Sequence, residues 1–216
     1  MKTIHPKGKH YRVIHSVYPP KNLFDTVVDE DALLLAELEG HTSDRLMRWR
    51  ESVTPEDARF GNGWGAVMAS FCYINPGRFN THSFGCYYAA DSVHTALKEW
   101  SFHATKVWLD FQYRDDANAV VRSYTGRVVE PLIDASKNNR VHQSDDYTAS
   151  QAYGTKLKAA GAFGIYYRSV RDKGSFRLGM LRPPATSPVT QSAHFTVNWN
   201  GERFTEYAEI KEFKSL

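Results

Sequence analysis

Apolar positions change their period along this chain, and the change divides it. From His10 to Ser16 the order HYRVIHS alternates, with Tyr11 and Val13 on one side and Arg12 on the other. That predicts a strand, broken by Pro19-Pro20. Phe24 to Gly40 is rich in Leu and Ala and reads as a helix. A second helix is expected from the Thr42-Ser43-Asp44 cap through Leu46, Met47 and Trp49. Gly61 to Gly65 marks a loop, and Ala66 to Tyr73 reads as a third, short and apolar helix. Residues 22–75 or so thus form a helical insertion after the first strand.

Beyond Asn75 strands dominate the pattern. Phe84 to Ala89 predicts a short aromatic strand, and Asp91 or Ser92 then caps a helix in which Val93, Ala96, Leu97 and Trp100 form an apolar stripe. Val107 to Tyr113 alternates and reads as a strand, paired with Ala119 to Tyr124 through an Arg114–Asn118 turn. Arg127 to Ile133 is a further strand, and Ser136 to Ser144 a polar loop. Tyr147 to Ala160 predicts a helix closed by Gly161, with Ala149, Ala152, Tyr153 and Leu157 toward the core. Strands are expected at Gly164–Ser169, Phe176–Leu181, His194–Asn198 and Phe204–Ile210, with Pro183–Pro188 as a connector. The reading is α+β, one domain over residues 1–216: a mixed or antiparallel sheet with flanking helices.

Composition narrows the classes. With 42% hydrophobic and 24% charged residues the chain is ordinary for a soluble globular domain. A net charge of +3 is too mild to call for nucleic acid, and no basic stripe stands out, although an anionic ligand would be welcome. The start lacks the apolar run of a signal peptide, and no later stretch is apolar enough to span a bilayer, so a cytoplasmic protein is expected. Cys72 and Cys86 lie in apolar company without metal-type spacing and read as buried free thiols. His82 and His94 read as solvated or locally hydrogen-bonded groups rather than ligands, and no histidine pairs with another at a metal spacing. No metal is expected.

One stretch concentrates chemistry. Gly77-Arg78-Phe79-Asn80 presents a cation and an amide on a glycine turn, Tyr88 offers an aromatic platform, and Glu99 and His103 share one helix face. Arg12 and Ser169 join them as candidates from the flanking strands. Each also has a plain structural reading. Arg12 can be a strand-edge charge, Glu99 a surface helix carboxylate, Tyr88 core, and Ser169 a turn residue. A cation, an aromatic, a carboxylate and an imidazole in one run suit an anionic, aromatic ligand such as a dinucleotide.

Gly77-Arg78-Phe79-Asn80, followed by Tyr88 and then Ala96-Leu97-x-Glu99, resembles the RES domain, a family named for an arginine, a glutamate and a serine. Tyr11-Arg12-Val13 resembles its upstream arginine element, and Tyr167-Arg168-Ser169-Val170-Arg171 its later serine element; the likeness spans about residues 10 to 180. The long segment between Arg12 and Arg78 and the strands after Pro183 depart from compact members. The resemblance implies an ADP-ribosyltransferase-like fold that binds NAD as substrate and breaks its nicotinamide–ribose bond. It implies a toxin whose partner is an Xre-like antitoxin. The acceptor of ADP-ribose would be water, phosphate or a protein side chain. Within it, Glu99 would offset the charge of an oxocarbenium-like state. Arg12 and Arg78 would hold the pyrophosphate, Tyr88 would pack on the nicotinamide or its ribose, and Ser169 would bond the ligand, with Asn80 and His103 as orienting groups. The rival reading is a non-catalytic module that binds a partner protein through the aromatic-rich sheet.

Overall fold

A computed structural model describes residues 2–16 and 52–211. Its strands in chain order are β1 (Thr3–Ile4), β2 (Lys9–His15), β3 (Tyr87–Ala90), β4 (Asp116–Arg127), β5 (Leu132–Asp134), β6 (Gly164–Arg168), β7 (Phe176–Met180), β8 (Thr190–Asn200) and β9 (Phe204–Ile210). They make one sheet, ordered β1-β5-β6-β7-β3-β2-β4-β8-β9. The β5–β6 pair is parallel and all the others are antiparallel. Among the described residues three α-helices pack on it: α1 (Gly65–Cys72), α2 (Val93–Asp110) and α3 (Thr148–Ala159). The α+β reading holds at this level. The two helices expected between Phe24 and Trp49 lie outside the described residues. No described helix is long and apolar enough to cross a membrane.

Side-chain alternation assigns the faces. On β3, Tyr87 and Ala89 join Val67, Met68 and Phe71 of α1, with Leu178 and Met180 of β7, in one core cluster. Tyr88 points the other way, packed against a second cluster of Phe79, Leu157, Ile165 and Tyr167 beneath α3. A third cluster joins Leu97 of α2 to Val121, Phe195, Val197 and Trp199. Cys72 and Cys86 are buried free thiols, and burial pushes the Cys86 thiol up to about 12.

Three expectations are corrected. Val107–Asp110 is the last turn of α2 rather than a strand, and the chain leaves it through Gln112 at φ 56°. Alternation misled because Trp108 and Leu109 face the third cluster while Val107 and Phe111 stay exposed. The segment from Ala119 therefore pairs with β2 and β8 instead, and β4 runs from Asp116 to Arg127, absorbing the expected turn. Only Leu132–Asp134 of the following segment forms a separate strand. On α3 the buried residues are Ser150, Gly154 and Leu157, whereas Ala149 and Ala152 are exposed. Gly154 turns that face inward, because a Cβ there would collide with the Phe79 carbonyl.

Candidate functional site

A gap in the sheet makes the cavity. β2 and β3 pair only at Tyr11 and Ala90, so the strands part from Arg12 onward. At the parting lies a cavity of about 180 Å³ lined by Tyr11, Arg12, Val13, Tyr88, Ala89, Ala96, Glu99, Trp100, His103 and Arg177. Ser92 caps the helix that supplies four of these, its hydroxyl accepting from the Thr95 N–H at 3.1 Å.

Glu99 is 5% exposed. A carboxylate so far from water needs compensation, and two elements supply it. Arg177 of β7 brings Nη1 to within 2.7 Å of Oε2, and the Ser169 hydroxyl donates to Oε1 at 3.2 Å. Burial pulls the Arg177 pKa down, but Tyr167, Glu99 and Tyr88 more than offset it, so the guanidinium stays charged. The Ser169 oxygen in turn accepts the N–H groups of Arg171 and Asp172 at 3.3 and 3.1 Å. Asp172 anchors this turn to α2, accepting from Lys98 Nζ and the Thr95 hydroxyl at 2.7 Å each. The Lys98 contact leads the effects that hold its carboxyl near a pKa of about 2. The serine and glutamate elements are thereby tied together at fixed distance.

His103 lies one turn beyond Glu99 on the same face. Desolvation lowers its pKa below 6.5; Glu99 opposes the shift and Arg177 and Arg171 reinforce it. Arg12 lines the cavity from β2, and its guanidinium carbon sits 4.8 Å from the Tyr87 ring centroid. Its Nη1 is buried without a hydrogen-bond partner, as is Nε of Arg177.

The Gly77–Asn80 turn stands behind Tyr88. The Tyr88 hydroxyl donates to Asn80 Oδ1 at 2.9 Å and accepts the Phe79 N–H at 2.8 Å. A Cβ on Gly77 would come within 2.8 Å of that hydroxyl, which explains the glycine. Asn80 Nδ2 donates to the carbonyls of Asn75 and Phe84. Arg78 is buried, its Nη1 donating to the carbonyls of Val141 and Gln143 at 3.1 and 2.7 Å while its guanidinium lies over Tyr147. Of the expected residues, Arg12, Tyr88 and Glu99 meet at the cavity, Ser169 reaches it through Glu99, and Arg78 and Asn80 build the wall behind.

Sequence reasoning missed Arg177. The available signal was a charged residue between Phe176 and Leu178 in an alternating strand, which marks a face that cannot be simply apolar. Its partner lies 78 positions away on a helix, and only the β3–β7 register, Ala90 opposite Arg177, brings them together. Among the described residues no group of three or more His, Cys, Asp or Glu could hold a metal ion.

Set beside known proteins, residues 45–200, well over half the chain, match the model of the RES domain. A curated relative, the uncharacterized protein y4oC of Sinorhizobium fredii (strain NBRC 101917 / NGR234), is 26% identical over 208 residues, covering 92% of this chain and 86% of that one. Among solved structures, a chain of the crystal structure of the M. tuberculosis MbcT–MbcA toxin–antitoxin complex aligns with a TM-score of 0.47 and 15% identity, covering 96% of this chain and 86% of that one.

Proposed function

This chain belongs to the RES domain family, and from that premise we propose that it is an NAD-consuming enzyme, the toxin of a toxin–antitoxin pair. The observation that carries the reading is a buried carboxylate, Glu99, held by an arginine and a serine at the edge of a cavity walled with aromatic rings. In this reading the sheet is an ADP-ribosyltransferase-like core. The cavity is smaller than ordinary small-molecule pockets of roughly 300–1,000 Å³. It suits the nicotinamide–ribose end of the substrate up to the pyrophosphate, with the adenosine end outside.

Breaking the nicotinamide–ribose bond leaves positive charge on the ribose, and Glu99 offsets it as the bond lengthens. Tyr88 and Trp100 supply flat surfaces for the ring that departs. Arg12 contributes positive charge and an unpartnered donor for the pyrophosphate. Ser169 keeps Glu99 in one orientation. Arg78 and Asn80 act from the wall: Asn80 fixes Tyr88, and Arg78 holds the 141–143 backbone against the turn. The acceptor is water, phosphate or a protein side chain, and the partner an Xre-like antitoxin whose acidic face suits a net charge of +3.

The test is loss of NAD over time with purified protein, with and without inorganic phosphate, counting both free products and labelled protein. Wild type consumes NAD, and Glu99→Gln loses on the order of 10²-fold or more in turnover. A wild type that binds its partner yet leaves NAD untouched in every arm, with no labelled protein, returns the chain to the binding-module reading.

A further inference from the structure

We propose that Arg177 is a positioning residue for this cleavage: its guanidinium holds the Glu99 carboxylate in a single orientation at the cavity. The proposal rests on the NAD-cleaving reading above. Charged and polar groups surround Glu99 from the elements packed around it: His103 on its own helix, Arg12 on β2, Tyr88 on β3, Tyr167 on β6 and Arg177 on β7, with Arg171 beside His103 from the turn between β6 and β7. Among them the ion pair belongs to Arg177. The Arg171 guanidinium is spent elsewhere, stacked 3.5 Å over Phe102 and bonded to Ser144. Arg12 lies over Tyr87. Desolvation and the neighbouring arginines keep His103 from becoming the cation in place of Arg177.

The backbone and the rings fix where Arg177 can point. On the ladder it stands between Ala90 and Tyr167, and its guanidinium is 5.9 Å from the centroids of both Tyr88 and Tyr167. An arginine recruited only to knit the fold would spend its donors on neighbours. Here Nε is buried and unpartnered, while Nη1 is committed to Glu99 at 2.7 Å. The side chain is spent on the carboxylate.

The experiment compares Arg177→Met and Arg177→Lys with wild type in the full chain, reading kcat and KM for NAD, with thermal unfolding as a check on folding. A misplaced carboxylate in Arg177→Met is expected to lower kcat by about 10²-fold, more than KM changes. Arg177→Lys keeps a cation beside Glu99 and recovers part of kcat. Should Arg177→Met fail to fold, Arg177→Gln carries the same expectation. A folded charge-free variant with the wild-type kcat overturns the proposal while leaving the NAD reading intact. Wild type that consumes no NAD overturns both.

Discussion

One helix covers two regions built on opposite principles. One face of α2 carries Ala96, Glu99 and His103 to the cavity, where arginines, a serine and tyrosines surround a buried charge. Another face carries Leu97 and Trp108 into an aromatic-rich cluster, with the Trp108 ring centroid 5.2 Å from Trp199 and 4.9 Å from Phe204. In the aromatic region burial is almost wholly favourable, since dispersion and loss of wet apolar surface act together. In the cavity region burial opposes every charge, and each must be offset by geometry. Stability should therefore be concentrated in one region and activity in the other, although the same helix serves both.

The sharpest way to break this division is Trp199→Ala. Trp199 is fully buried and touches Trp108 and Phe204. Its removal should cost about 3–5 kcal/mol of unfolding free energy, read from denaturant midpoints. At a denaturant concentration where both proteins are folded, the catalytic constants should match wild type. A fall in kcat equal to that of Glu99→Gln would show that the two regions are not separable.

Acid offers a second probe of the contrast. His10, 1% exposed, bonds the Thr186 hydroxyl at 2.7 Å and meets Tyr87 edge-on. Burial, helped by Arg12, lowers its pKa from 6.5 to about 4. The folded state thus binds the proton less readily than the unfolded state. Stability should fall as pH drops from 6.5 toward 4, by roughly 3 kcal/mol in all, and His10 should add no further slope below that. Unfolding free energies measured across this range should lose that slope in His10→Gln. The aromatic cluster, with nothing comparable to protonate, should make no contribution to it.

How far each region was legible follows from the same distinction. The start of α2 was readable because a cap and an apolar stripe are local signals, and Ser92 is the observed cap. The chemistry of the cavity was visible in residue types, since Arg12, Tyr88 and Glu99 do line it together. What holds Glu99 was not visible: Arg177 becomes a neighbour only through strand register. Nor could the sequence reveal that the Arg78 Nη1 donors would go to backbone carbonyls of a distant loop. The last turn of α2 was misread, because Val107, Trp108 and Leu109 satisfy a strand pattern until Trp199 and Phe204 arrive from β8 and β9. Local rules read elements; they do not read which elements meet.

The smallest effect divides the helix against itself. The Ser92 hydroxyl accepts the Thr95 N–H and also meets the Thr95 hydroxyl at 2.8 Å, which in turn donates to Asp172. Ser92→Ala removes the cap, which should cost about 1 kcal/mol in unfolding free energy. The loss should not be spread evenly. The amides of Thr95 and Ala96, in the first turn, should exchange hydrogen faster by subglobal opening. Those near Ala104 and Trp108, locked in the aromatic cluster, should slow or quicken only with the global change. Because the first turn is tied to Asp172 and through it to the Ser169 turn behind Glu99, the proposed NAD turnover should fall by a small factor with it. Equal acceleration of exchange at both ends would mean that α2 opens as one unit.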